Sequence, residues 1–202
     1  MQLRNLFAPV LVALLAVNAG PAIADDAMST GVKAEMIHVI ADAETKLNDL
    51  AAAMPAAKYS WRPMKGVRSV GEVYMHVAAA NYGMPSMMGV AAPAGFQFEK
   101  YESSLTKKQD IQKALKESFV SLKAGLTNMS DADMEKQADI MGMKMSYRGV
   151  YMMLLSHAHE HLGQSIAYAR SNGIVPPWTA AEHAKEKDKA KDSMKMGDHD
   201  QK

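Results

Sequence analysis

Two histidines one helical turn apart are the residues in this sequence best suited to chemistry. His157 and His161 fall on the inward stripe of a predicted helix, where a helical core normally carries leucine. The i, i+4 spacing puts both rings on one face, close enough for two ring nitrogens to bind one cation. An imidazole buried without a partner costs on the order of a few kcal/mol. The alternatives are rings that face solvent, or rings buried with water and carbonyl partners.

A third histidine on another predicted helix fits the same site. His76 lies on the inward side of that helix, so a cation could take two ligands from one helix and one from the other. Three protein ligands leave coordination positions for water or substrate, as in catalytic metal centres. We expect zinc, although three imidazoles also suit Ni²⁺, iron or copper. Gln164, one turn after His161, is predicted to hydrogen-bond a ligand or a bound water.

Other polar residues near these positions have competing structural roles. Glu72 is the nearest carboxylate to His76 in sequence, but it also completes a helix-capping box with Ser69. Tyr82 and Tyr168 are placed either to line a pocket or to pack in the core. No residue stands out as a general base, so the catalytic group is unknown. The remaining four histidines are predicted to lie at the surface: His38, His159, His183 and His199.

Four amphipathic helices must position these residues. Apolar residues recur at spacings of three and four in four stretches: residues 32–54, 70–84, 111–129 and 150–168. Ser69, Thr106 and Ser146 are predicted to cap the last three helices, Thr106 in a capping box with Gln109, and Gly173 is predicted to end the last one. Residues 91–104 are predicted to form a long loop, and residues 130–145 to be irregular. The fold class is therefore all-α, a four-helix bundle with long inter-helix connections.

The two ends of the chain differ from this central domain. Residues 1–24 are predicted to be a signal peptide, with Arg4, an apolar run and the small-residue site Ala22-Ile23-Ala24. The bundle then covers residues 25–179. Residues 180–202 are predicted to be a charged, disordered tail. We expect a periplasmic or secreted protein with no stable membrane anchor after cleavage.

Composition excludes several functional classes. Lys plus Arg is 23 and Asp plus Glu is 22, which argues against nucleic acid as the partner. The absence of cysteine excludes disulfides, thiolate ligands and cysteine nucleophiles. Methionine is abundant, at 18 residues, and thioethers favour Cu(I), although methionine also fills helix cores. Two methionine clusters stand out: Met141, Met143 and Met145, and Met194 with Met196 in the tail.

Several short segments occur in an order typical of one family. They are Trp61-Arg62-Pro63, Ser69-Val70-Gly71-Glu72 ahead of His76, His157-x-x-x-His161-Leu162-Gly163-Gln164, Tyr168-x-Arg170, and Asn172-Gly173-Ile174-x-Pro176-Pro177. Together they resemble the DinB-like (DinB/YfiT-type) metal-binding four-helix bundles. The resemblance implies long crossovers and a divalent metal held by His76, His157 and His161. It also implies a low-molecular-weight thiol as partner in some relatives, and a homodimer in others.

Two interpretations of function remain open. The first is a metal-dependent transferase or hydrolase that acts on an unknown small molecule or thiol. The second is a non-catalytic metal-binding or interaction bundle, with copper handling through methionine and histidine as one form of it. Whether the protein is an enzyme is uncertain from the sequence.

Overall fold

The computed structural model describes residues 31–197, with side chains as far as residue 191. Its elements in chain order are α1 (Val32–Ala53), a 3-10 turn (Ala56–Lys58), α2 (Val70–Ser86), α3 (Phe98–Tyr101), α4 (Lys108–Asn128), α5 (Asp131–Met134), β1 (Gln137–Ile140), β2 (Met143–Ser146), α6 (Tyr147–Ser171) and α7 (Pro177–Gly197). The predicted signal peptide and His199 lie outside the described residues, as do the side chains of Met194 and Met196.

The four long helices α1, α2, α4 and α6 form the predicted bundle. α1 packs against α4 and α6, and α2 packs against the same two helices. Helices that follow each other along the chain, α1 and α2, therefore lie on a diagonal. This order requires the long connections that the sequence indicated, because α1 to α2 and α4 to α6 each join helices on a diagonal of the bundle.

The core consists of the apolar stripes that the spacing predicted. Every member of two stripes is buried: Met36, Ile40, Ala43, Leu47 and Leu50 on α1 with Met54 at its C-cap, and Ile111, Leu115, Phe119, Leu122 and Leu126 on α4 with Met129 at its C-cap. α2 is buried on most of its surface because α3 covers it in addition to α4 and α6. Gly83 allows this close approach, since a Cβ there would lie 2.3 Å from a ring carbon of Phe98.

Helix capping is confirmed at two of the three predicted positions. The Ser69 hydroxyl accepts from the backbone N–H of Glu72, and the Glu72 carboxylate accepts from the backbone N–H of Ser69. Ser146 caps α6 through the N–H of Gly149. The Thr106–Gln109 box is wrong, because α4 begins after Lys107 and Gln109 therefore sits one position too early for a capping box.

A β-hairpin occupies part of the segment predicted to be irregular. β1 and β2 pair antiparallel around a turn in which Met141 has φ 56° and Gly142 has φ 88°. Positive φ at both central residues is typical of a tight hairpin turn. Each strand has four residues, which is too short for alternation to be recognised in the sequence. Ala138 and Ile140 are buried, while Met141 and Met143 are exposed.

The charged C-terminal segment is helical where the sequence prediction was disorder. α7 runs through the predicted boundary at residue 179 as far as Gly197. Its side chains from 180 to 191 are exposed, as expected for a solvated segment. Alanine, lysine and glutamate favour helix without burial, which explains the difference. In the described part of the chain, no helix combines the length and apolarity required to cross a membrane.

Candidate metal centre

Helices α2 and α6 bring the three predicted histidines together. Nε2 of His157 lies 3.0 Å from Nε2 of His76 and 3.1 Å from Nε2 of His161. His161 is buried, and the other two residues are half-buried. In the described part of the chain, these side chains form a group whose spacing suits a metal ion.

The spacing of the ring nitrogens matches what a single cation requires. Two nitrogens at about 2.0–2.1 Å from one Zn²⁺ are about 3.3 Å apart at a tetrahedral angle and about 2.9 Å apart at a right angle. The observed separations of 3.0 and 3.1 Å lie between these values. All the ligand nitrogens lie within 4.8 Å of one another, so the three rings face a common point.

A chain of hydrogen bonds determines which nitrogen of His161 carries the proton. The carbonyl of Arg68 can only accept, so the Tyr168 hydroxyl donates to it, at 3.1 Å. The Gln164 amide nitrogen then donates to the Tyr168 oxygen, at 3.1 Å, which turns the Gln164 carbonyl toward His161. That carbonyl accepts from Nδ1 of His161 at 2.8 Å. In the neutral ring, Nε2 therefore presents a lone pair to the cluster.

A carboxylate has the same effect on His76. Nδ1 of His76 lies 3.0 Å from Oε2 of Glu102, and Oε1 of Glu102 accepts from Nε of Arg68 at 2.6 Å. Because the carboxylate is an acceptor, Nδ1 of His76 carries the proton. Nε2 of His76 also presents a lone pair to the cluster.

His157 has no partner that determines its proton. Its Nδ1 is buried without a hydrogen bond. Burial, followed by the neighbouring His161, His76 and Arg68, lowers the pKa of His157 to about 3. Burial also lowers the pKa of His76, helped by Arg68 and His161 and opposed by Glu102. Both rings are therefore neutral at neutral pH.

When all three rings are neutral, the cluster is short of hydrogen atoms at its centre. Two lone pairs, from His76 and His161, point at Nε2 of His157, which can donate one hydrogen at most. If His157 carries its proton on Nδ1 instead, three lone pairs converge and the buried N–H is unpaired. A divalent cation bound by all three nitrogens removes this repulsion, so the residues present fit a metal ion.

Two of the other predicted pocket residues have the contacts of structural groups. Both oxygens of the Glu72 carboxylate are engaged, by the backbone of Ser69 and by Arg62, and these contacts lower its pKa, the Ser69 N–H most of all. Tyr82 is buried against the rings of Phe96 and Tyr101, as a core residue is.

Gln164 hydrogen-bonds His161, and Tyr168 is linked to the histidines through Gln164. Tyr168 is buried, and its ring meets Trp61 edge-on at a centroid distance of 5.3 Å. His38, His159 and His183 are exposed, as predicted.

Sequence reasoning missed Arg68 and Glu102. Glu102 is 26 residues from His76 along the chain and follows the short helix α3, in a segment predicted to be a loop. No periodicity marks such a residue, and its role depends on how the crossover folds back over α2. An open cleft of about 560 Å³ borders both residues together with Gln164, and gives a small molecule access to this side of the bundle.

The fold and the histidine cluster define a four-helix bundle with a candidate three-histidine metal centre. The sequence matches the model of the DinB family over residues 28–193, and the chain belongs to that family. No curated protein matches the sequence.

Solved structures share the fold at low sequence identity. A DinB-like protein from Bacillus cereus is 17% identical, with a TM-score of 0.63 over 72% of this chain and 95% of that one. YfiT from Bacillus subtilis, described as a probable metal-dependent hydrolase with an unusual four-helix bundle topology, is 15% identical, with a TM-score of 0.59 over 74% and 93%. A mycothiol-dependent maleylpyruvate isomerase is 11% identical, with a TM-score of 0.54 over 64% and 59%.

Proposed function

We propose that this DinB-family protein binds one divalent metal ion through His76, His157 and His161 and uses it to hydrolyse or transfer a group on a small molecule. One observation carries the proposal: the Nε2 atoms of His76 and His161 lie 3.0 and 3.1 Å from Nε2 of His157, and hydrogen bonds at Nδ1 leave a lone pair on each of those two Nε2 atoms. The description of YfiT as a probable metal-dependent hydrolase supports the hydrolytic form. The mycothiol dependence of the isomerase supports a thiol as substrate or partner.

The contacts indicate what a bound metal ion would contribute and what the protein's own residues contribute. A bound divalent ion supplies Lewis-acid chemistry, which polarises a carbonyl and lowers the pKa of water or of a thiol. The protein's own residues hold three imidazoles at one point, with Glu102 accepting from Nδ1 of His76 and Gln164 accepting from Nδ1 of His161. Zinc is the ion we propose, because it accepts three histidines and retains an open position.

Elemental analysis by mass spectrometry tests the metal site directly. Tag-free wild-type protein should contain about one equivalent of metal, and the double variant His157→Ala/His161→Ala should contain none. His159→Ala is the matched control, since it removes an exposed imidazole from the same helix and should retain the metal. Metal missing from wild type, or equal in wild type and double variant, would overturn the proposal.

Activity is tested with the metal so identified. Ester, amide and thiol-transfer substrates should be turned over by wild type and His159→Ala, and not by His157→Ala/His161→Ala. Turnover that survives loss of the metal would reject the metal-dependent mechanism.

We also propose that the protein works outside the cytoplasm, on the basis of the signal-peptide pattern in residues 1–24. N-terminal sequencing of the native protein should find a start near Asp25 in a periplasmic or secreted fraction. An intact Met1 in the cytoplasmic fraction would contradict export.

Copper handling is a second candidate, favoured by the exposure of methionine on the hairpin. Met141 and Met143 are 69% and 50% exposed, so their thioethers are not used in the core. The hairpin meets α6 at its first residues, and ten residues of helix, on the order of 15 Å, separate it from His157. Retention of Cu(I) that is lost in Met141→Leu/Met143→Leu, but kept in His157→Ala/His161→Ala, would favour this candidate.

A further inference from the structure

Two hydrogen-bond chains run outward from the histidine cluster and end on the same residue. One passes from His76 through Glu102 to the side chain of Arg68. The other passes from His161 through Gln164 and Tyr168 to the backbone carbonyl of Arg68, as described above. Arg68 lies in the connector just before α2, and Glu102 lies in the crossover after α3. Neither residue belongs to the helices that carry the histidines.

We propose that Arg68 and Glu102 act as positioning residues, which hold His76 as its Nδ1–H tautomer and so direct its Nε2 at the metal. The inference rests on the proposed metal site and names residues outside the histidine triad that determine its affinity. Of the three histidine rings that face the proposed metal, His76 is the one with a charged hydrogen-bond partner among the described residues.

Glu102 contacts His76 directly and therefore determines which of its ring nitrogens carries the proton. Its two oxygens are divided between two donors, Oε2 with Nδ1 of His76 at 3.0 Å and Oε1 with Nε of Arg68 at 2.6 Å. The planar guanidinium therefore restrains the rotation of the carboxylate, and the carboxylate restrains the ring. The Glu102 side chain is 28% exposed and that of His76 is 19% exposed, so water competes only in part for these contacts.

The side chain of Arg68, and not its backbone, takes part in positioning His76. Its carbonyl anchors the His161 chain through the backbone, which a side-chain substitution leaves in place. Its Nε alone supports Glu102. Truncation of Arg68 should therefore disturb His76 while leaving the orientation of His161 unchanged.

Carboxylates that orient a metal-binding histidine are worth about 10- to 100-fold in metal affinity. We expect Glu102→Ala to weaken Zn²⁺ binding by about tenfold or more, measured by competition with a chromophoric chelator. Arg68→Ala should cause a smaller loss in the same direction, because Glu102 remains. The double variant Arg68→Ala/Glu102→Ala should lose no more than Glu102→Ala, since Arg68 acts through Glu102.

A spectroscopic readout separates positioning from general structural support. Long-range ¹H–¹⁵N correlation spectra of the metal-free protein should show His76 protonated on Nδ1 in wild type. In Glu102→Ala this pattern should be replaced by Nε2–H or by a mixture of tautomers. Glu102→Asp, which retains an acceptor, should recover part of the Nδ1–H signal and part of the affinity.

Glu135→Ala is the matched control. Glu135 also pairs with an arginine, Arg148, but at the hairpin end of α6, away from the histidines. It should bind Zn²⁺ as wild type does and show the wild-type His76 signals.

The outcomes distinguish this inference from the proposed function. If wild type binds no Zn²⁺, the proposed function fails, while the metal-free spectra still test the tautomer. If wild type binds Zn²⁺ and Glu102→Ala binds it equally well, the positioning role is overturned and the metal site stands. A wild-type His76 protonated on Nε2 would also overturn it.

Discussion

Replacing His157 with leucine should raise the stability of the metal-free protein. The same replacement should reduce the stabilisation that metal binding adds. The wild-type ring is half-buried, neutral and without a partner at Nδ1. A buried polar group without a hydrogen bond costs about 1–3 kcal/mol. Leucine has a similar volume and no polar atom. The metal-free variant should therefore be more stable than wild type by about 1–2 kcal/mol.

Added metal should reverse this order. At a free Zn²⁺ concentration 100 times Kd, a ligand that binds only the folded state contributes about 2.7 kcal/mol. His157→Leu retains two imidazoles, those of His76 and His161, and should lose most of this gain. Wild type with Zn²⁺ should therefore be more stable than the variant with Zn²⁺, although it is less stable without metal.

Thermal unfolding followed by far-UV circular dichroism measures both effects. For a chain of this size, 1 kcal/mol corresponds to about 2–4 °C in Tm. We expect the metal-free variant to melt about 2–8 °C above wild type, and Zn²⁺ to raise wild type by about 5–11 °C. His159→Leu changes an exposed ring on the same helix and should follow wild type in both conditions.

Two results would refute this reasoning. If metal-free His157→Leu melts below wild type, the ring makes stabilising contacts that outweigh its unpaired nitrogen. If Zn²⁺ raises the Tm of His157→Leu as much as that of wild type, the ion binds elsewhere.

Three further predictions concern stability. Gly83→Ala should lower the free energy of unfolding by about 1–3 kcal/mol, because the new Cβ would meet Phe98 at 2.3 Å; an unchanged urea midpoint would contradict this packing. Ser69→Ala should cost about 1 kcal/mol in the same assay through loss of the α2 cap, and a cost near zero would show that Glu72 alone satisfies the helix end. Metal-free wild type should lose stability as pH falls, because the unfolded His157 takes up a proton near pH 6.5 and the folded one only near pH 3. This contribution is complete above pH 6.5; the full shift corresponds to about 5 kcal/mol, which partial exposure reduces to about 2 kcal/mol. His157→Leu should flatten the profile between these pH values, and identical profiles would contradict the shift.

The histidine cluster could be predicted because each of its parts is a local pattern. His157 and His161 share a face by the i, i+4 rule, and the stripe that includes Leu154 indicates which face is inward. His76 falls in register with Val73 and Ala80 on another helix. Two inward faces in one bundle meet across the core, so the three rings could be expected to converge.

The helix ends and the hairpin show where local patterns become insufficient. The Ser69 box was predicted correctly, whereas Thr106 carries similar sequence signals and is not a cap. α4 begins one residue later, where the Lys108 ammonium donates to the carbonyls of Ala52 and Met54 at the end of α1. Each strand of the hairpin around Met141 has at most two buried residues. An alternation of buried and exposed positions this short cannot be recognised in the sequence.

The sequence by itself determined the four helices, their buried stripes and the identity of the three clustered histidines. These depend on contacts three or four residues apart, and such contacts repeat with the period of the helix. Only the tertiary structure decided which nitrogen carries the proton in His76 and in His161. Glu102 and Arg68 reach His76 because the crossover and the connector fold over the end of α2. Contacts between residues 26 and 34 positions apart have no period, so the chain must be folded before they can be seen.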